Sequence, residues 1–454
     1  MDQIIKEMRD QMIQTLAKWV RIPSVKGEPQ PGAPFGVQVR EALDAALADA
    51  QAMGFAVRNF DGYVGDVRMG PEGVNPLAIL GHLDVVPQGE GWDTDPFGAE
   101  IRDGRMYGRG TEDDKGPVVA ALYAMLALKK TGIPLKREVR LILGCDEESG
   151  MECVKHYAKV CDLPRVGFSP DGVFPVINTE KGMLHLSLHG DWCQDGLQVL
   201  EFCVGERPNV VPGKAKALVS GEEDLVEKAN AAARELGLEV TAKIAEAGVV
   251  ELYSEGIPGH AAYPEVTRNA VGQLLLVLKA LGVEGPLKAV AEKIGMEYYG
   301  ESLEMACQDG VSGPLTCNLG IIRYTREEGL YATLDIRYPI LANPTALAAA
   351  ATAALAPAVR VVVDSQKEPH HVAPNSKLIQ SLLSAYTEVS GRPGECLSTG
   401  GGTYARLLQE GVAFGSVFPG EEEVCHHANE YFDLNSLELN VKIFARAIEL
   451  LQDC

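Results

Sequence analysis

The chain has 454 residues, of which 46% are hydrophobic and 23% charged, and its formal net charge is −22. This length exceeds what one ordinary hydrophobic core holds, so we expect two domains. The acidic balance argues against nucleic acid and anionic membranes as partners. No stretch has the length and apolar character that predict a transmembrane helix.

The first twenty residues predict an amphipathic helix and not a signal peptide. Apolar residues recur there at helical spacing, and acidic residues interrupt them. The ten cysteines are scattered and form no C-x-x-C pair. Without an export signal, this usage favours reduced thiols and a cytoplasmic protein. A loop rich in proline and glycine follows, and residues 37–53 predict the next helix.

Residues 76–80 are apolar and are followed by a single glycine, which predicts a short buried strand. The strand delivers His82 and Asp84 just past its carboxyl end, where open α/β sheets collect active sites. A histidine with a nearby carboxylate is typical of a metal ligand and the group that orients it. A satisfied histidine at a strand end is the alternative interpretation.

A glycine-rich loop then carries Asp113 and Asp114 to the start of an Ala/Leu-rich helix predicted over residues 117–130. Acidic groups are well tolerated at a helix amino terminus. Simple capping of this helix is therefore the alternative interpretation for one of the two aspartates.

Two further strands are predicted over residues 137–144 and 166–169. The first ends in adjacent carboxylates that include Glu147 and Glu148, and the second ends near Asp171. Clustered carboxylates repel one another and raise at least one pKa, which is typical of a metal ligand beside a general base. A solvated charge run is the alternative.

A late strand, predicted over residues 412–418, is followed by His426 and His427. Because adjacent residues on an extended segment point in opposite directions, only one of these imidazoles is expected to reach a site at the sheet edge. The ligand types collected along the chain, two histidines and three carboxylates, suit a pair of borderline divalent ions with one bridging carboxylate. A single structural zinc ion normally has four closed ligands, often cysteines.

The region between the strand predicted over residues 166–169 and the late strand has a different sequence pattern. Residues 183–189 alternate as a strand does, and helices are predicted over residues 222–235, 270–281 and 344–356. This predicts an α+β domain over residues 181–375, inserted into an α/β domain formed by residues 1–180 and 376–454.

In order and spacing, the motifs resemble those of the M20 metallopeptidases along nearly the whole chain. They are His82-Leu83-Asp84-Val85-Val86-Pro87, Gly108-Arg109-Gly110 through Asp113-Asp114-Lys115-Gly116, Asp146-Glu147-Glu148, Ser169-Pro170-Asp171 and His426-His427-Ala428-Asn429-Glu430. Within that family the chain most resembles the PepV-type bacterial dipeptidases. That closer likeness rests on Arg109-Gly110-Thr111, Arg337-Tyr338-Pro339 and Gly400-Gly401-Gly402-Thr403-Tyr404-Ala405-Arg406.

The resemblance implies a catalytic domain of the zinc-exopeptidase type, with a mixed, largely parallel sheet sandwiched by helices, and an inserted lid. It also implies two divalent ions, most often zinc, with manganese or cobalt as alternatives. His82 and Asp171 would hold one ion, Glu148 and His426 the other, and Asp113 would bridge them. The family pattern selects Asp113 over its neighbour, and it selects the first histidine of the late pair.

Further roles follow from the same resemblance. Asp84 would orient the first histidine ligand, and Glu147 would be the general base. His260 in the inserted domain would donate a hydrogen bond to the oxyanion. The implied substrate contacts form a larger set. They are Asn209, Arg337, Gly401, Gly402 and Thr403, in which the arginine and the glycine-rich loop bind the terminal carboxylate.

The function expected from this resemblance is hydrolysis of dipeptides with a free amino terminus, by a metal-bridged water and a glutamate base. An M20 amidohydrolase that removes acyl or succinyl groups from amino acids is the main alternative. A two-metal phosphatase would require basic residues near the motifs, and an inactive binding protein would require a missing ligand or base. A lid as long as this insertion predicts a monomer that binds a small peptide.

Overall fold

The computed structural model describes residues 1–453 and divides into two compact units. The first unit comprises Met1–Asn178, Val372–Leu397 and the chain from Gly402 on. The second comprises Thr179–His371 together with the short segment Ser398–Gly401.

The described chain contains α-helices in both units. In chain order they are α1 (Asp2–Glu7), α2 (Arg9–Val20), α3 (Val37–Ala52), α4 (Gly116–Thr131), α5 (Glu152–Val160), α6 (Glu223–Leu236), α7 (Ala270–Ala280), α8 (Gly285–Lys293), α9 (Pro344–Leu355), α10 (Lys377–Ser390) and α11 (Leu434–Leu450). A π-helical turn spans Thr111–Lys115, and short 3-10 turns span Pro264–Val266, Tyr404–Leu407 and Leu451–Asp453.

The strands vary from two to ten residues in length. In chain order they are β1 (Ala56–Phe60), β2 (Val64–Met69), β3 (Leu77–His82), β4 (Glu100–Arg102), β5 (Arg105–Tyr107), β6 (Val139–Gly144), β7 (Val166–Ser169), β8 (Val176–Glu180), β9 (Gly182–Gly190), β10 (Val199–Val204), β11 (Val210–Val211), β12 (Lys214–Ser220), β13 (Val240–Glu246), β14 (Val249–Glu255), β15 (Gly259–His260), β16 (Gln308–Asp309), β17 (Gly313–Pro314), β18 (Thr316–Thr325), β19 (Gly329–Tyr338), β20 (Arg360–Lys367), β21 (His370–His371), β22 (Cys396–Thr399), β23 (Glu410–Ala413) and β24 (Tyr431–Asp433).

The first unit is built on a mixed sheet in which β1, β2, β6, β3, β7 and β23 follow one another. Strands β6, β3, β7 and β23 pair in parallel, whereas β1 and β2 pair antiparallel at one edge. β3 and β6 are buried along their whole length, as expected of central strands covered on both faces. The α/β architecture predicted for this part of the chain is confirmed.

Helix α4 lies against the sheet and against α11, and it is buried along nearly its whole length. Its sequence, rich in alanine, leucine and valine, is apolar on every side, which is typical of a helix enclosed within a core. The helix begins at a Gly-Pro pair, and Gly132 adopts a φ of 70° just beyond its end. The helix predicted for this segment is thus confirmed, with both of its end signals.

Two predicted elements of the first unit differ from the structure. The opening helix is divided at Met8, whose N–H reaches the carbonyls of both Ile4 and Ile5 before α2 begins. The apolar stripe continues across this point, so the hydrophobic periodicity carries no signal of the division. The late strand ends at Ala413 and does not extend to Phe418, because its pairing with β7 ends there.

The second unit contains an antiparallel sheet of order β13, β14, β12, β10, β18, β19, β9 and β20. Leu184, Leu186 and Leu188 alternate along β9 and join the buried core of this unit. Helices α6, α7 and α9 pack on the sheet, and α8 packs on α7. This arrangement confirms the predicted α+β character of the inserted region.

Two further expectations concern the chain as a whole. Along residues 1–453 every helix is too short or too polar to cross a bilayer. The nine cysteines within the same range are all free thiols, in line with the expectation of reduced cysteines.

Candidate metal centre

Three parallel strands bring the predicted ligand segments to one edge of the first unit's sheet. His82 is the last residue of β3 and lies opposite Gly144, the last residue of β6. On the other side of β3, the Ser169 hydroxyl donates to the Leu80 carbonyl at 2.7 Å. Because the carboxyl ends of β3, β6 and β7 coincide, the loops that follow them meet at the same edge.

The two adjacent aspartates lie in the π-helical turn before α4 and have separate roles. Asp113 has non-helical backbone angles, φ −122° and ψ 97°. Asp114 is fully buried, and its Oδ2 accepts the backbone N–H of His82 at 3.0 Å. No side chain among the described residues caps α4. The capping interpretation is therefore wrong, because the buried aspartate instead accepts a backbone hydrogen bond from the strand that carries the first histidine.

The structure brings all five predicted ligands together as two triads that share Asp113. His82 Nε2 lies 2.8 Å from Asp113 Oδ1 and 3.8 Å from Asp171 Oδ2. His426 Nε2 lies 3.0 Å from Asp113 Oδ2 and 3.1 Å from Glu148 Oε1. Within each triad, the ligand atoms all lie within 4.8 Å of one another. Each oxygen of the shared carboxylate thus faces a different histidine.

The protonation of His82 fits a metal ligand. Its Nδ1 lies 2.8 Å from the backbone carbonyl of Asp84, which only accepts, so Nδ1 carries the proton. The lone pair of Nε2 is then buried without a hydrogen-bond partner among the described residues, yet it faces a carboxylate oxygen of Asp113. Two acceptors this close repel unless a cation lies between them. Imidazole nitrogen and carboxylate oxygen are also donors that borderline divalent ions prefer, so the residues fit two such ions.

The carboxylates of this cluster have strongly perturbed acidities. Burial, with the charge of Asp113 nearby, raises the pKa of Asp171 to about 7. Burial also acts to raise the pKa of Asp113, but the neighbouring imidazoles of His426 and His82 hold that pKa well below its usual range. So much negative charge in a buried cluster is unfavourable alone and is compensated where cations bind.

Asp84 contacts the loop after β6 more closely than it contacts the first histidine. Its Oδ1 accepts the backbone N–H of Glu147 at 3.1 Å, and its Oδ2 accepts that of Glu148 at 3.2 Å. Oδ1 lies 3.6 Å from His82 Nδ1, too far for a hydrogen bond. The expectation that this carboxylate orients the histidine is therefore corrected. The backbone carbonyl does so, and the carboxylate satisfies two amides at the start of the next loop.

Glu147 belongs to neither triad and lies beside one of them. Its side chain is half-buried. Burial, together with the charges of Asp171 and Glu148, raises its pKa well above the usual range. A carboxyl group with a raised pKa next to metal ligands is what proton transfer near neutral pH requires. The position therefore fits the expected general base, and the role itself stays a prediction.

The two late histidines differ in their backbone placement. His426 has a φ of 63°, in the left-handed region that few residues other than glycine adopt, and its Nε2 reaches the second triad. His427 is exposed and belongs to neither triad. The local backbone conformation therefore directs the first of the two imidazoles toward the carboxylates.

Two buried glutamates next to the ligands escaped the sequence reasoning as separate functional candidates. Burial, with the charge of Glu430 nearby, raises the pKa of Glu112 to about 8. Burial also raises the pKa of Glu430 to about 6, although the Arg109 guanidinium opposes this shift. The only sequence signal for them is their place inside the motifs shared with the M20 family. The residues that contact each other here are more than 300 positions apart in the chain, so no local pattern links them.

In the second unit, a two-stranded ribbon places His260 beside the predicted substrate contact Asn209. β11 pairs with β15 so that Val210 lies opposite His260, and the Asn209 carbonyl accepts the N–H of Ala261 at 2.9 Å. His260 Nδ1 accepts the N–H of Ala262 at 3.2 Å, so Nε2 carries the proton of the neutral ring. The imidazole thus presents a donor, as the expected oxyanion role requires.

Arg337 is already paired within the second unit. Its Nε and Nη2 donate to the two carboxylate oxygens of Asp335 at 2.6 and 2.8 Å, and its Nη1 donates to the Gly400 carbonyl at 2.9 Å. We expected this guanidinium to donate two hydrogen bonds to a substrate carboxylate. That expectation is corrected, because its Nε and Nη2 donors already bind the carboxylate of Asp335. Residues two apart on a strand share a face, so the Asp-x-Arg spacing was a usable signal.

The glycine-rich loop is divided between the units. Gly401 belongs to the second unit, and its N–H donates to Thr399 Oγ1 at 3.0 Å. Gly402 and Thr403 belong to the first, where the Thr403 side chain accepts the N–H of Ala405 and caps a 3-10 turn.

The sequence matches known proteins over most of its length. The sequence model of Peptidase family M20/M25/M40 matches residues 78–450. The YtjP protein of Bacillus subtilis is 36% identical over 458 residues, covering 98% of both chains. The Beta-Ala-Xaa dipeptidase of Lactobacillus delbrueckii subsp. lactis is 34% identical over 92% of this chain and 91% of its own.

A solved structure has the same fold. The crystal structure of human carnosine dipeptidase 1 has a TM-score of 0.62, and the match covers 100% of this chain and 98% of that chain. The sequence identity is 17%, so this likeness bears on the fold alone.

Proposed function

The chain belongs to peptidase family M20/M25/M40, and from this premise we propose that it is a metal-dependent dipeptidase. The observation that carries the proposal is the pair of ligand triads that share Asp113, with Glu147 beside them. A relative that is 34% identical along nearly the same length is named Beta-Ala-Xaa dipeptidase, which supports a small peptide substrate.

We propose that the first unit is the catalytic domain and that the second is the lid, as expected for residues 1–180 with 376–454 and for residues 181–375. We also propose a cytoplasmic monomer. The size of the inserted region, which suffices for a lid within one chain, supports the monomer, and the free thiols support a reducing compartment.

The proposed centre holds two ions per chain, with zinc first and manganese or cobalt as alternatives. Two imidazoles, three carboxylates and the lack of cysteine among these ligands favour borderline divalent ions in a site open to substrate. When bound, the ions supply Lewis-acid polarisation of the scissile carbonyl and a water acidic enough to ionise near neutral pH.

The protein residues supply proton transfer and orientation. Glu147 accepts a proton from the attacking water and returns it to the leaving amine, so that the peptide C–N bond breaks. Asp84 holds the backbone amide of that glutamate, and its own carbonyl fixes the tautomer of His82. We propose that the Nε2 proton of His260 donates to the carbonyl oxygen, where negative charge develops.

For the substrate, we propose a dipeptide with free termini, bound with the help of Asn209, Gly401, Gly402 and Thr403. Arg337 contributes indirectly, since its contact with the Gly400 carbonyl holds the start of this loop.

The test is metal content combined with a substrate panel. Purified protein is stripped with a chelator, reloaded separately with zinc, manganese or cobalt, and assayed on free dipeptides that include β-alanyl ones. Each dipeptide is compared with its N-acetylated form and with N-acyl and N-succinyl amino acids. We expect activity on free dipeptides, lost on chelation and restored by metal. Activity confined to the acylated compounds would replace the dipeptidase with an amino-acid deacylase.

A further inference from the structure

The loop of the shared aspartate and the loop of the second histidine exchange carboxylates. Glu430 is fully buried, and its Oε1 accepts the backbone N–H groups of Glu112 at 2.9 Å and Asp113 at 3.2 Å. In return, Glu112 Oε1 accepts the backbone N–H groups of Val424 and Cys425, both at 2.9 Å. Each carboxylate therefore binds the backbone of the opposite loop next to, or at, a predicted ligand.

The two carboxylates differ in how fully they are used. The second oxygen of Glu430 accepts from Arg109 Nη1 at 2.6 Å, and both side chains are buried. The second oxygen of Glu112 has no hydrogen bond within residues 1–453, and this side chain lines a cavity of about 240 Å³ that also contacts Arg105 and Glu421. Glu430 thus needs two acceptor oxygens, whereas Glu112 needs one.

We propose that Glu112 and Glu430 form a clasp that sets the separation of Asp113 and His426, and so controls the affinity of the second ion. This inference rests on the proposed two-ion centre. By clasp we mean these two glutamates and the four amides that they accept. Both are positioning residues, since neither belongs to a triad.

The geometry explains why the second ion depends on this clasp more than the first. The His426 side chain is 47% exposed and belongs to a loop with a left-handed backbone, so few packing contacts fix it. His82 is instead the last residue of a paired, buried strand, and Asp171 lies two residues after the end of another paired strand. Metal sites need their ligands held to within about 0.5 Å, which a loop achieves only when its backbone is tied down.

The test uses glutamine and alanine at the two positions. Glutamine in E430Q has only one acceptor oxygen, and an NH2 donor replaces the other. Either the two backbone amides or Arg109 therefore loses its acceptor and faces another donor. Glutamine in E112Q keeps the one acceptor that the clasp uses and directs its NH2 group to the cavity. We expect E430Q and E112A to weaken the second ion about 10- to 100-fold, as the loss of an outer-sphere contact does. E112Q should bind like the unsubstituted chain.

The readouts are a zinc titration of the stripped protein, followed by calorimetry, and amide hydrogen exchange of residues 112–113 and 424–425 without metal. The matched control is E138Q, which removes a buried carboxylate paired with Arg68 and Arg140 before the start of β6, away from the ligand edge. It should lower stability and leave both affinities unchanged. Before any ion is added, E430Q is expected to speed the exchange of residues 112–113 and E112A that of residues 424–425, whereas E112Q and E138Q should speed neither.

Several results would overturn the inference. If the unsubstituted chain binds two ions and E430Q binds both as tightly, the clasp is refuted and the two-ion centre stands. Equal weakening by E138Q, or no difference between E112Q and E112A, would also refute it. A chain that binds fewer than two ions without any substitution would refute the proposed function, and the clasp with it. Should E430Q fail to fold, the comparison of E112Q with E112A tests the same inference.

Discussion

Replacing Gly81 with alanine tests whether the first histidine ligand depends on a close approach of helix α4 to strand β3. A Cβ atom at this position would lie 2.3 Å from Val118 Cγ2 and 2.6 Å from Asp114 Oδ2. Carbon atoms in contact prefer about 3.5–4.0 Å, so the Val118 methyl must withdraw by more than 1 Å and the buried aspartate by a smaller distance. Asp114 accepts the backbone N–H of His82, so the same displacement reaches the predicted ligand.

The expected cost follows from these two contacts. Overpacking a buried site costs roughly 1–3 kcal/mol, because neighbouring side chains leave their rotamers and the backbone shifts. Weakening the buried hydrogen bond between Asp114 and His82 adds about 1–2 kcal/mol, since a buried donor and its acceptor lose part of their contact. We therefore expect G81A to lower the free energy of unfolding by roughly 2–5 kcal/mol.

Urea unfolding of the metal-free protein measures this loss. The control is G310A, because an added Cβ there meets no atom within 4 Å and the backbone is not left-handed. It should be neutral or stabilising by up to about 1 kcal/mol. V118A combined with G81A should recover part of the loss, since it removes the nearest atom. A G81A variant within about 0.5 kcal/mol of the unsubstituted chain would refute the steric argument.

Three other substitutions separate the roles within the centre. E147Q should keep both ions, because this glutamate is in neither triad, and should lose about 10²- to 10⁴-fold in kcat; loss of metal would refute its assignment as the base. H426A should retain about one ion per chain by metal analysis and H427A two; the reverse would exchange the two histidines. D84N should keep both ions, since the carbonyl that accepts from His82 remains, and should lose about 10²-fold in kcat as the base shifts. An unchanged kcat would show that the carboxylate does not hold the base.

Local signals were sufficient for two of the elements beside the ligands, whereas the late strand before His426 ends five residues earlier than predicted. Strand β7 begins and ends as predicted, and α4 extends one residue beyond the prediction at each end. Apolar runs closed by glycine, a proline in the first turn and a glycine at the helix end act within a few residues. For the same reason, the division of the opening helix at Met8 went unseen, because the apolar stripe does not change there.

Side-chain partners were harder to predict than elements. Arg337 was expected to meet a substrate but pairs with Asp335, and Asp84 was expected to contact a ring nitrogen but accepts two backbone amides. Residue type permits each group several partners of the same chemistry. Which partner is chosen depends on distances that arise only when the loops pack.

The order of residues alone specifies which ligand types occur, on which strand ends, and in what family pattern, because these features depend on neighbours along the chain. The separation of Asp113 from His426 depends instead on packing between distant segments. Glu430 and Glu112 are 318 positions apart, yet they bind each other's loops. No local periodicity encodes such a contact, since it exists only after parallel strands have brought the loops to one edge of the sheet.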